Sequence, residues 1–282
     1  MTISLAGLLD LLDLERIEQG RYRGRSPKTS LQRVFGGQVA AQALVAAGRT
    51  VPPQRRPHSL HAYFLRAGDP QVPIVYLVDD IREGRSFSTR RVSAVQHGKS
   101  IFAMSVSFHL DEDGVDHRTA APDVPTPESL PTLAERIAEE PDVWPQAFRE
   151  WQSFDIRHIR QQEDLGSAGR TSHAQFWLRA AEPLPEDPLL HATILTYASD
   201  LTLLASALVP HGIPLSHGGF QLASLDHAMW FHRPQRADRW VLYDQNSPSA
   251  SGGRGLTSGR IFDRDGALVA SVMQEGLVRR LR

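Results

Sequence analysis

The feature that most constrains how this chain can fold is that one order of elements is written along it twice. The first half opens on a strand-like stretch at residues 16–23. The turn Phe35-Gly36-Gly37-Gln38 follows, and then an Ala-rich, proline-free run at 39–48. That run is a good helix former, and Gly48 is the residue type that closes helices. Its near-uniform apolarity predicts burial on all sides. Four segments rich in β-branched and aromatic residues come next, at 58–66, 74–81, 87–96 and 100–109. Gly68-Asp69-Pro70, Glu83-Gly84 and His97-Gly98 separate them, which is the punctuation of an antiparallel sheet.

The second half repeats the plan. Residues 154–160 and 173–180 read as strands, 189–208 as one long apolar helix ahead of Pro210, and 220–231, 240–243, 256–262 and 268–275 as strands. Asp265-Gly266 is a hairpin signal. Tyr63-Phe64-Leu65-Arg66 aligns with Trp230-Phe231-His232-Arg233 at an offset of 167, and Gly98 with Gly266 at an offset of 168. Agreement of the two offsets points to an internal duplication. Between the halves, residues 111–150 carry Asp111-Glu112-Asp113-Gly114, repeated prolines and one short helix near 130–139, and read as a linker. The expectation is an α+β double hot-dog with domains 1–110 and 151–282 joined by the linker 111–150. Each domain is a long buried helix wrapped by a curved antiparallel sheet.

Composition narrows the function. Apolar residues at 41% and charged residues at 22% describe a chain with a packed core. With 31 Lys and Arg against 32 Asp and Glu, no net field draws in nucleic acid or an anionic membrane, so an anionic ligand must meet local cations. The absence of cysteine removes disulfides, thiolate metal sites and cysteine nucleophiles, and fits a cytoplasmic chain. The apolar N-terminal stretch is interrupted by Asp10 and Asp13 and reads as an amphipathic helix with Leu5, Leu8, Leu9 and Leu12 on one face. No apolar run approaches the roughly 18 residues of a bilayer span. No Gly-x-Ser-x-Gly marks a nucleophile elbow. Gly98-Lys99-Ser100 reads as a turn, and Gly253-Arg254-Gly255 precedes no helix, which disfavours nucleotide binding at either. The 12 histidines include no His-Glu-x-x-His, so neither a metal nor a cofactor is expected. On predicted strands, His58, His61, His227 and His232 fit structural roles best.

Three polar residues remain conspicuous. Asp200 interrupts a helix otherwise suited to burial, where a carboxylate is costly unless paired or hydrogen-bonded. Either it caps a break in the helix or lies on an exposed stripe, or something polar is held beside it. Gln274 follows an apolar run on a strand, and the repeat places Val106 opposite it, apolar where the other copy is polar. Ser224 offers a hydroxyl that can donate and accept, or is an ordinary strand serine.

Phe35-Gly-Gly-Gln38, His58-Ser-Leu-His-Ala-Tyr-Phe-Leu65, Tyr197-Ala-Ser-Asp200, Leu225-Asp-His-Ala-Met-Trp-Phe-His232 and Val272-Met-Gln-Glu-Gly276 together resemble the signature segments of the acyl-CoA thioesterase II family, the double hot-dog thioesterases of bacteria and peroxisomes. The resemblance covers nearly the whole chain. It implies hydrolysis of acyl-CoA thioesters by a water that Asp200, Ser224 and Gln274 orient, with no covalent intermediate. The middle position is commonly Thr in that family, so Ser224 keeps the hydroxyl and loses a restraining methyl. Substrate contacts are expected at Gly37, at His58 and at Arg254, the last for CoA phosphates, with Arg90-Arg91 as alternative cations. Oxyanion donors are expected at the start of a buried helix or in Ser216-His-Gly-Gly219. Two other readings stay open: a hot-dog hydratase or dehydratase on enoyl-CoA, and a non-catalytic acyl-CoA binding module. The hydratase pattern of Asp followed five residues later by His is missing, since Ala205 stands at that distance from Asp200. A homo-oligomer is expected.

Overall fold

The structure, a computed structural model, describes residues 3–141, 144, 146–159, 173–213 and 219–281. Helix α1 (Leu5–Leu12) starts on Ser4, whose hydroxyl accepts the Gly7 amide at 3.1 Å, and buries Leu5, Leu8, Leu11 and Leu12. The strand expected at 16–23 is instead a hairpin of β1 (Glu15–Glu18) and β2 (Arg21–Gly24). The chain reverses at Gly20, whose φ of 71° suits glycine and few other residues. Helix α2 (Gly36–Gly48) begins three residues earlier than its apolar run and is buried from Gly37 to Ala47. Strands β3 (Arg56–Phe64), β4 (Ile74–Glu83), β5 (Phe87–Gln96) and β6 (Lys99–His109) then wrap it.

The linker holds two short helices, α3 (Leu133–Glu139) and α4 (Gln146–Glu150), the first opened by a reciprocal cap between Thr132 and Glu135. Beyond it run β7 (Phe154–Ile159), β8 (His173–Ala180) and α5 (Pro188–Ser199). The expected single helix over 189–208 breaks. Asp200 leaves α5 with φ −93° and ψ −5°, and a 3-10 helix at Leu204–His211 follows. The Tyr243 hydroxyl, buried and with its ionisation pushed well up by that burial, donates to the Ser199 carbonyl at 2.9 Å and satisfies one carbonyl of the broken end. The segment from Pro188 to His211 is long and apolar enough to cross a membrane but is mostly buried inside the fold as core.

The expected strand 220–231 also divides, into β9 (Phe220–Ser224) and β10 (Asp226–Phe231), ahead of β11 (Val241–Ser251), β12 (Arg254–Asp263) and β13 (Leu268–Arg280). Both pieces pair with β13, β10 along Ala270–Met273 and β9 along Gly276–Arg280. The corner between them is pinned by two bonds to one residue. Leu225 donates its amide to the Glu275 carbonyl at 2.9 Å, and the Glu275 amide donates to the Asp226 carboxylate at 2.6 Å.

All thirteen strands form one sheet, in the order β1-β2-β4-β5-β6-β3-β10-β13-β12-β11-β8-β7 with β9 beside β13. Apart from β9, that order is the same plan read from either edge. At the junction β3 meets β10 antiparallel, with Ser59 opposite Trp230, His61 opposite Ala228 and Tyr63 opposite Asp226. The offset of 167 carries Ser59 onto Asp226, His61 onto Ala228 and Tyr63 onto Trp230. The image of the Ser59–Trp230 pair is thus the Asp226–Tyr63 pair, and His61 faces its own image, the signature of an approximate twofold axis between His61 and Ala228. Helices α2 and α5 lie antiparallel inside this sheet, in a common core that includes Leu44, Leu60, Tyr76, Phe102 and Ile194. Replacing Tyr243 with Phe removes the donor from the end of α5 and is expected to cost about 1–2 kcal/mol of stability, measurable by urea unfolding.

Candidate active site

The antiparallel packing of the helices brings the end of α5 to the start of α2, and the β9–β10 corner and β13 close in from the sheet. A Cβ on Gly36 would stand 2.8 Å from Asp200 Oδ2, so that helix start tolerates no side chain while the carboxylate is in place. Here the break after Ser199 has a purpose that propensity does not reveal. It turns Asp200 toward the amino end of α2, where unpaired N–H groups and the helix dipole favour a negative charge.

Asp200, Ser224 and Gln274 converge. Gln274 is fully buried, and its Nε2 donates to Asp200 Oδ1 at 2.6 Å and to Ser224 Oγ at 3.1 Å. Ser224 Oγ lies 3.4 Å from the same carboxylate oxygen. The Gly37 amide also donates to Asp200. Burial pushes the Asp200 carboxyl up from 3.8 to about 6, although the bonds from Gln274, Gly37 and Ser224 all favour the charged form. Desolvation wins, and leaves an acid poised just below neutrality. The side chain is not sealed off, since it keeps partial exposure toward a cleft.

A second layer fixes the glutamine. The Ser199 hydroxyl donates to the Thr196 carbonyl at 2.9 Å, so its oxygen accepts from His227 Nε2 at 2.9 Å. That leaves His227 Nδ1 as an acceptor 3.2 Å from Gln274 Nε2, sharing with Ser224 Oγ the amide hydrogen that Asp200 does not take. Burial lowers His227 to about 4, so the ring stays neutral and its tautomer is set. A flipped Gln274 amide would turn its oxygen toward both the carboxylate and the imidazole lone pair. His227 therefore positions Gln274 as a donor. Gln274 Oε1 is buried without a partner among the described residues.

The cleft beside these groups has a volume of about 760 Å³, with Phe35, Phe64, Phe102, Trp151, Leu201 and Leu204 among its apolar walls. Arg33 and Arg66 stand on it, exposed and with no ion pair among the described residues. The Arg66 Nη1 donates to the Ser100 carbonyl at 2.5 Å, which fixes the side chain while its other nitrogen remains uncommitted.

Other expected contacts fall differently. The Gly37 amide is spent on Asp200. Arg254 does not line the cleft and pairs with Glu275 at 3.0 Å. His58 lies outside it as well, bonded to Ser107 Oγ at 2.8 Å and lining another cavity. Arg90 is buried and committed to Asp80, Glu83 and Thr50, which removes it as a phosphate cation. Of Ser216-His-Gly-Gly219, residues 216–218 lie outside the described residues. His227, Gly36 and Arg66 emerge only in three dimensions. Arg66 had a trace in sequence, since it ends the stretch that aligns with Trp230–Arg233.

Comparison with known proteins bears on the family. The acyl-CoA thioesterase family model matches residues 147–277, and the acyl-CoA thioesterase N-terminal domain model matches 25–109. The chain is 40% identical to acyl-coenzyme A thioesterase 8 of Homo sapiens over 95% of this chain and 88% of that one. It is 37% identical to acyl-CoA thioesterase 2 of Haemophilus influenzae over 99% of both. The crystal structure of the acyl-CoA thioesterase II TesB2 from Mycobacterium marinum superposes with a TM-score of 0.82 at 49% identity, over 97% of this chain and 98% of that one.

The electrostatics can be checked directly by carboxyl and imidazole NMR titration. Asp200 is expected to titrate near 6 and His227 near 4. Gln274→Leu, which removes a bond to the charged carboxylate, is expected to move the Asp200 midpoint upward.

Proposed function

Because the chain belongs to the acyl-CoA thioesterase family, we propose that Asp200 is the general base of acyl-CoA hydrolysis, with Ser224 and Gln274 holding the attacking water beside it. The reading is carried by one observation, a carboxylate kept near 6 at the edge of an apolar cleft with three donors converging on it. A carboxylate of that basicity is largely ionised at neutral pH and takes a proton more readily than an ordinary aspartate.

The water oxygen attacks the thioester carbon as Asp200 takes a proton from it. The tetrahedral intermediate then expels CoA as a thiolate, which recovers that proton. The acid so formed loses its own proton to solvent, so the products are a carboxylate, CoA and one proton, and no bond forms between enzyme and substrate. Ser224, able to donate and accept, aligns the water lone pair with Gln274, which bonds to both Ser224 and Asp200 and so fixes the place of the water between them, while the Gly37 amide holds the base. The acyl chain lies along Phe64, Phe102 and Leu204. Arg66 and Arg33, and not Arg254, meet the CoA phosphates at the rim.

Asp200→Asn is expected to lower the rate of CoA release by about 10³-fold, within the range typical of a lost general base. Release of the thiol at the parental rate would remove Asp200 from this role. The sign of the pH dependence follows from the base needing to be ionised. Log kcat/KM is expected to rise with pH up to about 6 and to level above it.

Arg66→Met is expected to raise KM for acyl-CoA about tenfold, the size of one lost charge-assisted bond. It should leave hydrolysis of the matching N-acetylcysteamine thioester, which has no phosphates, unchanged.

A further inference from the structure

The approximate twofold that relates the two halves also relates two cavities. The second has a volume of about 570 Å³ and lies at the start of α5. Its apolar floor is the image of the first. Offsets of 167 and 168 carry Phe64 to Phe231 and Ile101 to Val269, and setting the helix start Gly36 on Pro188 gives an offset of 152 that carries Val39 to His191. The reactive groups are absent from it. The same offsets pair Asp200 with Gly48, Ser224 with Pro57 and Gln274 with Val106. What remains is the shape of a thioesterase cleft without a base.

Two polar features distinguish that shape from the first cavity. Arg66 has its image in Arg233, anchored in the same way: Arg66 Nη1 donates to the Ser100 carbonyl at 2.5 Å, and Arg233 Nη1 to the Leu268 carbonyl at 2.8 Å. Unlike Arg66, Arg233 already holds a carboxylate, that of Asp116, which extends from the linker and is 71% exposed. The second feature is His191, which stands where the first cavity has Val39 and is only 5% exposed. Its Nδ1 accepts the Ala237 amide at 3.1 Å, so its proton is on Nε2. Nε2 has no partner.

The charge on the rim sets an upper limit on the ligand. Asp111, Glu112 and Glu186 line this cavity, and Arg56 and Arg236 are neutralised by Asp111 and by Glu186 with Asp238. Such a mouth repels the several phosphate charges of CoA far more than the single charge of a carboxylate.

We propose that the second cavity binds, without hydrolysing it, a long-chain carboxylate, with the alkyl chain on the Phe231 and Leu195 floor and the head group on Arg233 in place of Asp116. The identification of this ligand as the product acid rests on the thioesterase reading; the site itself does not.

The test uses the full chain with its catalytic cleft filled by S-dodecyl-CoA, a thioether that cannot be hydrolysed. Dodecanoate is then titrated in calorimetrically. One further equivalent is expected per chain. Ala192→Trp, which fills the floor, should abolish it, and Arg233→Gln should weaken it about tenfold. Asp116→Asn, a change at an exposed linker residue, should strengthen it by removing the resident competitor. A cooperative melt certifies the fold of each variant. Absence of dodecanoate uptake by the parent, uptake unaltered in these variants, or two equivalents of the thioether per chain would each overturn the proposal. Failure of the parent to release CoA from dodecanoyl-CoA would count against the thioesterase reading alone.

Discussion

The candidate active site depends on one contact, the meeting of the carboxyl end of α5 with the amino end of α2. Neither helix end is comfortable alone. The last carbonyls of α5 need donors, and the first amides of α2 need acceptors. Tyr243 supplies a donor to Ser199, and Asp200 supplies an acceptor to Gly37. The carboxylate therefore satisfies a structural demand of α2 and is at the same time held in low dielectric, which raises its basicity. The glycines at the start of α2 permit that approach, since any Cβ at Gly36 would collide with Asp200 or Phe64.

From that contact the support spreads outward through the sheet. Gln274 reaches Asp200 because β13 runs past the helix junction, and β9 reaches Ser224 into the same place because the chain turns sharply at Leu225. His227, the second residue of β10, sits behind Gln274 and keeps its amide turned the right way. The Asp226 carboxylate, one residue earlier, accepts the Glu275 amide, one residue after Gln274. Two adjacent pairs thus lock the register in which the trio meets.

Much of the frame was legible because it rests on local chemistry. The hairpins at Gly98 and Gly266, with φ of 70° and 79°, were marked by glycines that only such turns need, and α2 by an alanine run with no polar face. The corner at Leu225 was hidden, since no glycine or proline marks it and it arises from β13 receiving two strands in succession. The break after Ser199 was only one of the readings left open for Asp200. Residues 189–208 contain no helix breaker, and the helix ends because Asp200 finds better partners across the fold than along it. Asp200, Ser224 and Gln274 could be nominated from sequence, while Arg254 and His58 were misplaced relative to the cleft. Strand patterning shows which face a residue takes but not which of two related cavities lies beneath it.

That two related cavities exist, and that they differ, follows from how each helix begins. Helix α2 opens on Gly36 and Gly37, with no side-chain cap, and so leaves its first amides to a carboxylate from elsewhere. Helix α5 opens on Asp187 and Pro188. Proline contributes no N–H, and the Asp187 side chain takes the amides of Leu189 and Leu190 at 2.9 and 3.3 Å. The second helix start is therefore already satisfied by its own chain and has no need of a carboxylate from the end of its neighbour, where Gly48 stands. One cavity keeps an unsatisfied helix end and takes a carboxylate from the neighbouring helix; the other has its helix end closed by Asp187 and retains only the apolar shape. Restoring chemistry there would require reopening the helix start, placing an acid at position 48 and a polar group at position 106 together, because each change alone would leave a buried polar group without a partner.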